Sequence, residues 1–311
     1  MSQQLKFAPD SSLKAADSRL LIVMKVLVTG AGGMLGRAVV LHCRAAQDEV
    51  FAHDHHSLDI TQAESINAVF KRERPSAVIN CAAWTDVDGC EQDPERARAA
   101  NARGPELLAA ACRQLGSQFI TISTDYVFDG AKDGFYTQRD DPQPISVYGT
   151  AKLDGERRAQ AACARTAIVR SGWIFGPGGR NYLSRVIELA QAGQPLKAIC
   201  DAYGTPTYAV HLAARLRELV TLDLPGIYHI VNGGAGASFE EFTRAALAAA
   251  GDETTKVEGV AMNSLQRPAP RPRNSRLRCL LSEAINLEPL PDWRAALAEF
   301  VSTQLDPSAK A

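Results

Sequence analysis

Gly30-Ala31-Gly32-Gly33-Met34-Leu35-Gly36 follows directly on the strand-like run Met24-Lys25-Val26-Leu27-Val28, and this passage from strand to glycine turn decides how the chain is read. Its glycines are spaced G-x-x-G-x-x-G, and Gly32 meets the G-x-G-x-x-G spacing of many dehydrogenases only in part. Both spacings share one physical logic. Glycine permits a tight turn and close backbone approach, while a helix starting near Met34 offers unpaired N–H groups to a pyrophosphate. A glycine-rich turn without a ligand could look the same, but its place after the first strand of an α/β chain favours a dinucleotide.

Outward from that turn, Val50 to Ala52, Ala77 to Ile79, Gln118 to Ile122 and Ala167 to Val169 read as further strands, separated by Ala- and Leu-rich helical stretches. Helix starts are marked by Thr61 with Glu64 and Ser238 with Glu241 as capping boxes, and by Asp93-Pro94. Stops fall at Gly116, Gly193 and Gly251. Strands alternating with helices require crossovers, which predicts an α/β fold: a doubly wound parallel sheet (Rossmann) with a smaller C-terminal substrate lobe. The rhythm loosens after about Arg170, with Gly and Pro clustered at Gly176 to Gly179 and an Arg/Pro-rich stretch from Arg267 to Arg273. The expected division is a disordered tail over 1–23, with Met24 as the natural start, and a dinucleotide-binding domain over 24–175. A lobe over 176–311 is expected mainly to hold substrate, with a segment at about 194–232 returning to the Rossmann core.

Composition excludes several alternatives. Apolar residues make up 46% and charged residues 22% of 311, as in ordinary folded chains. Lys plus Arg number 34 and Asp plus Glu 35, a net charge of -1, so charge selects neither nucleic acid nor an anionic membrane. The seven cysteines are scattered without a C-x-x-C, which argues for a reducing cytoplasm over a disulfide framework or zinc cage. No apolar run reaches the roughly 18 residues of a membrane span, and no secretory signal opens the chain.

Asp54 lies roughly 20 positions beyond Gly36, where a carboxylate is placed to meet the adenosine ribose. That favours NADH, but Arg37, His55 and His56 stand close enough to accept a 2′-phosphate, so NADPH stays open. His53, His55 and His56 lack distant supporting ligands, so a solvated loop reads better than a metal site. The pair Tyr148 and Lys152 is four residues apart on a helical pattern, after a hydroxyl at Thr124. An ammonium about 4 Å from a phenol, at an effective dielectric of about 20, contributes roughly 4 kcal/mol, enough to bring the phenol near neutrality. Lys152 is expected to supply that charge and to bond a nicotinamide ribose, with Thr124 orienting a substrate carbonyl.

These stretches, together with Leu58-Asp59-Ile60-Thr61, Asn80 to Asp88, Ser123 to Gly130, Asp201 to Thr207 and Arg271 to Leu277, make the chain from about Met24 to Phe300 resemble the extended short-chain dehydrogenase/reductases. Within them it is most similar to the dTDP-4-dehydrorhamnose reductases. The resemblance implies that Gly33, Met34 and Leu35 touch the pyrophosphate, Asp59 and Ile60 the adenine, and Ala82, Ala83, Tyr148 and Lys152 the nicotinamide half. It implies substrate contacts from Thr85, Val87, Thr124 and Trp173. Related dehydratases carry an Asp-Glu pair after the threonine; Asp125-Tyr126 here fits a simple reduction, with Asp125 in an orienting or structural role. The chain departs from the family's pattern at Gly172, Arg278 and Cys279.

The activity implied is reduction of the C4 keto group of dTDP-4-dehydro-L-rhamnose by NADPH or NADH. Arg267, Arg271 and Arg273 could clamp its diphosphate. Two other readings stay open: a non-catalytic dinucleotide-binding subunit resembling the regulatory subunit of methionine adenosyltransferase, and a reductase or epimerase of another nucleotide sugar. A homodimer and a bound Mg²⁺ are compatible with the resemblance, and neither is legible in the residues.

Overall fold

The computed structural model describes residues 23–179 and 181–305. The expected tail over 1–23 falls, Val23 apart, outside the described residues.

The chain begins β1 (Lys25–Thr29), α1 (Met34–Ala45), β2 (Glu49–His53), α2 (Ala63–Glu73), β3 (Ala77–Asn80), α3 (Val87–Gln92), α4 (Pro94–Arg98), a π-helical turn (Ala99–Arg103), α5 (Gly104–Leu115), β4 (Gln118–Thr124), α6 (Val147–Ala162) and β5 (Thr166–Ser171). Then follow β6 (Ile174–Phe175), α7 (Tyr182–Gln191), β7 (Leu196–Ile199), β8 (Tyr203–Gly204), β9 (Thr207–Tyr208), α8 (Ala209–Leu222) and β10 (Gly226–His229). The last elements are β11 (Ala237–Ser238), α9 (Phe239–Ala249), β12 (Val257–Val260), α10 (Leu280–Ala284) and α11 (Trp293–Leu305).

Six parallel strands form the central sheet in the order β10-β5-β4-β3-β1-β2. The doubly wound parallel sheet expected from the strand–helix rhythm is therefore the observed one. Side chains alternate across it with the two-residue period of a strand. Val26 and Val28 point into a core completed by α1 and α8, through Val39, Leu212 and Leu216. Leu27, between them, points into the opposite core with Phe70 of α2 and Leu108 of α5. All eight are essentially inaccessible to water, and each such side chain contributes roughly 1.5–3 kcal/mol.

Strand order reverses between β1 and β3, so the crevice for a ligand opens at their carboxyl ends. A buried polar clamp holds those ends in register. The Thr29 hydroxyl donates to Asn80 Oδ1 at 2.6 Å, and Asn80 Nδ2 donates to the Thr121 hydroxyl at 2.9 Å.

Within 194–232, α8 and β10 rejoin the sheet, whereas β7 pairs with β12 in the second lobe. That lobe has its own aromatic core of Phe175, Tyr208, Phe242, Trp293 and Phe300. The Ser238–Glu241 capping box is present, and Asp93 caps α4. The box expected at Thr61–Glu64 is not: α2 begins at Ala63 with Gln62 as its uncapped start. Thr61 is held instead by Asp59, whose Oδ1 accepts its hydroxyl at 2.7 Å and its N–H at 2.9 Å. The local turn outcompetes the cap.

Candidate active site

Helix α6 starts where the Ser146 hydroxyl accepts the Gly149 N–H at 3.1 Å, which puts Tyr148 in the first turn and Lys152 one turn on. Two glycines dock this helix. A Cβ on Gly149 would overlap the Tyr126 carbonyl oxygen, and one on Gly155 would overlap that of Asn101. Asn101 sits in the π-helical turn and grips the loop after β3: its Oδ1 accepts from Trp84 N and its Nδ2 donates to Trp84 O, both at 2.9 Å. Strand β4, helix α6 and that loop are thus held as one unit.

Together they wall a cavity of about 610 Å³. Tyr148 and Lys152 both line it, as does Thr124 at the end of β4. The Lys152 ammonium donates to the Ile122 carbonyl at 2.7 Å. The Thr124 hydroxyl donates to Asp125 Oδ1 at 3.0 Å and accepts the Tyr126 N–H at 3.1 Å, on the same cavity wall as the Tyr148 phenol.

Burial pushes the Tyr148 phenol above its usual range, with Thr124 pulling the other way. Burial also draws the Lys152 ammonium down to about 8, against the charge of Glu156. The expectation that Lys152 brings the phenol near neutrality is therefore corrected. Desolvation dominates the phenol, the Asp125 and Tyr126 groups push it further up, and the Lys152 charge is not among the leading influences on it.

Asp125 is 3% exposed, and burial pushes its carboxyl up to about 6, opposed first by Ser275 and then by Thr124. A Cβ at residue 172 would meet that carboxylate at 2.5 Å, so Gly172 makes room for it.

On the opposite wall lies the glycine turn, with Gly33, Met34, Leu35 and Gly36 facing the cavity. Gly30 has φ +67°, and a Cβ there would lie 2.6 Å from the Ala82 nitrogen. The turn thereby packs directly on the chain leaving β3. No side chain caps α1 at Gly33, so the first N–H groups of this helix face the cavity mouth without a side-chain acceptor. Backbone this close, with an uncapped helix start beside it, fits a dinucleotide pyrophosphate.

Among the other sequence-predicted residues, Ala83, Thr85, Val87 and Trp173 line the same cavity. Trp173 stacks on Phe239 at 3.7 Å. Ala82 sits behind the wall against Gly30, and Asp54 follows β2 beside Gly32. Asp59 and Ile60 are not in the wall: Asp59 is exposed, and Ile60 packs against Gly104.

Of the three arginines, Arg267 and Arg271 line one small pocket beside Trp173 and Phe239, and Arg273 is not in its lining. Arg271 Nη2 donates to Asp88 Oδ2 at 2.8 Å and Arg273 Nε to the Asp201 carbonyl at 3.1 Å, and Arg267 and Arg273 are both exposed. His53 is tied to Glu73 at 3.0 Å, and among the described residues no three acidic, His or Cys side chains are grouped to hold a metal.

Sequence reasoning missed Asn181, Tyr182 and Phe239, which close the cavity from the second lobe. Only the aromatic character of Tyr182 and Phe239 could have marked them.

A profile of the family described as RmlD substrate binding domain matches residues 24–305. The chain belongs to that family. A dTDP-4-dehydrorhamnose reductase of Streptomyces griseus is 38% identical over 281 residues, covering 88% of this chain and 91% of that one. Two solved members of similar fold are dTDP-4-dehydrorhamnose reductases. That of Clostridium acetobutylicum has a TM-score of 0.88 at 35% identity, covering 91% of this chain and 100% of the other. That of Bacillus anthracis, in complex with NADP, has a TM-score of 0.87 at 30% identity, covering 90% and 99%. The resemblance drawn from the motifs holds across both lobes of the RmlD fold, including the second lobe, where local sequence signals are weakest.

Proposed function

We propose that the protein reduces the C4 keto group of dTDP-4-dehydro-L-rhamnose with NADPH or NADH, giving dTDP-L-rhamnose. The observation that carries this reading is the convergence of Thr124, Tyr148 and Lys152 on the cavity wall facing the glycine turn. The nicotinamide cofactor supplies the hydride that adds to C4. Tyr148 gives its proton to the oxygen as the C–O π bond breaks. A phenol raised by burial is fully protonated at neutral pH, so it carries the proton that the reducing direction consumes. The Thr124 hydroxyl positions that phenol, and Lys152 reaches the ribose of the nicotinamide half. Trp173, Tyr182 and Phe239 shield the sugar from water, and exposed Arg267 lies beside the nucleotide end.

The assembled acid and lysine favour an enzyme over a non-catalytic dinucleotide-binding subunit. A reducing, cytoplasmic setting suits seven cysteines none of which is in a disulfide. Among the described residues no helix is long and apolar enough to cross a membrane. The test is cofactor oxidation followed at its near-ultraviolet absorbance across a panel of nucleotide 4-keto sugars. Turnover is expected with the dTDP-4-dehydro-L-rhamnose member; none with any member would sink the proposal.

Asp54 sets the balance between the two cofactors. Its Oδ1 accepts the N–H groups of His56 and Ser57 at 3.0 Å and the Ser57 hydroxyl at 2.9 Å, which holds the carboxyl ionised, below its usual range. A fixed carboxylate beside the adenosine ribose bonds its 2′-hydroxyl and repels a 2′-phosphate. Replacing Asp54 with alanine should therefore shift relative affinity toward NADPH by about tenfold or more, read by fluorescence titration of each cofactor. An unchanged ratio would place the ribose elsewhere.

A further inference from the structure

Three consecutive residues of β4 engage three residues of α6 spaced four apart. The Ile122 carbonyl takes the Lys152 ammonium, the Ser123 hydroxyl donates to Glu156 Oε1, and Thr124 shares the cavity wall with Tyr148. Positions 148, 152 and 156 share one helix face, so Glu156 is the next neighbour of Lys152 on the side away from Tyr148.

Glu156 is 3% exposed, and a lone carboxylate so far from water would be untenable. Arg170 of β5 answers it with two bonds, Nε to Oε1 at 2.9 Å and Nη2 to Oε2 at 2.6 Å. Behind Arg170 stands His229 of β10, its Nε2 3.4 Å from Arg170 Nη1. Burial, and then the Arg170 charge, drive that imidazole down to about 4, so it is neutral at working pH.

The surroundings of Lys152 are equally defined. Among the described residues its ammonium has one hydrogen-bond acceptor, the Ile122 carbonyl. Two groups act on it electrostatically, Glu156 first and Cys81 second, and burial pushes the Cys81 thiol up to about 12, so it carries no charge. Asp140 lies beyond His229 and acts on that ring. Glu156 is therefore the standing negative charge against a desolvated ammonium that burial tends to strip of its proton.

We infer that Glu156 is a positioning residue, which keeps Lys152 protonated and seated on the Ile122 carbonyl and acts through the lysine without touching substrate. A structural ion pair alone would need only Arg170. The Ser123 bond adds a second anchor to the carboxylate, from the residue next to the Ile122 carbonyl that seats Lys152.

The role in turnover rests on the proposed reductase reading; the role in cofactor binding does not. The experiment is NADH affinity by fluorescence titration and kcat/KM by absorbance, from about pH 6 to pH 10, on the full chain. Wild type should lose both across a basic limb near pH 8, the region set by Lys152. In Glu156→Gln that limb should move down by about one pH unit or more, so affinity drops about tenfold near pH 8.5 and stays within about threefold near pH 6. Glu156→Asp should restore most of the limb. A loss equal at every pH, or a limb that does not move, would overturn the inference.

Glu156→Gln strands the Arg170 guanidinium in the interior. The double variant Glu156→Gln/Arg170→Met removes both charges and should still move the limb down, though by less than the single variant, which also leaves an unpaired cation nearby. A moved binding limb without turnover of any nucleotide 4-keto sugar upholds Glu156 and sinks the reductase. Turnover with an unmoved limb does the reverse.

Discussion

Replacing Tyr148 by phenylalanine should lower turnover by about 10²- to 10⁴-fold, the usual contribution of a positioned general acid, while cofactor affinity changes by no more than a few fold. The ring packs in a cluster with Cys90, Ala97 and Ala151, and those contacts survive loss of one oxygen. Tyr126, edge-on at 6.2 Å, lines the same cavity but stands on the strand side of it, so it offers no ready substitute. The measurement pairs stopped-flow cofactor oxidation with a binding titration. Unchanged turnover would remove Tyr148 from proton transfer. Equal loss of affinity and turnover would make it a binding residue only.

The second large effect is expected at Gly36. A Cβ there would overlap the Gly30 carbonyl oxygen and approach Ala31 Cα to 2.8 Å. Both obstacles are backbone, so no rotamer change relieves them and the turn itself has to open. Gly36→Ala should weaken cofactor binding by about 100-fold and destabilise the fold by roughly 1–3 kcal/mol, the range of overpacked sites. Gly116→Ala is the control. Gly116 also has positive φ, at +70°, but nothing lies within 4 Å of its added Cβ, so its cost of about 1 kcal/mol is strain alone. Calorimetric melting and fluorescence titration separate the two. If both variants bind cofactor as wild type does, the glycine turn is not the cradle.

The sheet was legible because its signals are local. Val26-Leu27-Val28 and its four counterparts carry strand character in a few consecutive residues, and the glycine turn and the Tyr148–Lys152 spacing are each contained within one turn of chain. What escaped reading depends on distant neighbours. β10 was legible only as part of a segment returning to the core, because its place at the sheet edge comes from pairing with β5, distant in sequence. Thr61 carries a capping signature, but Asp59, two residues back, takes its hydroxyl first. Arg271 looked free for phosphate until the fold brought Asp88 against it. The phenol's acidity turned on desolvation, which spacing along a helix cannot reveal. The same limit hid Asn181, Tyr182 and Phe239, which reach the cavity only after the second lobe folds over the sheet.

The seating of α6 on Gly149 and Gly155 inverts a common rule of protein engineering. Trading a mid-helix glycine for alanine ordinarily stabilises a protein, because the unfolded chain loses freedom and the helix gains propensity. In this helix the same trade would lever α6 off Tyr126 at one end and off Asn101 at the other. Thermostabilising libraries should leave both positions fixed, and open space alone is no licence elsewhere: a Cβ on Gly134 would meet nothing within 4 Å, yet its φ of +84° would strain any L side chain placed there.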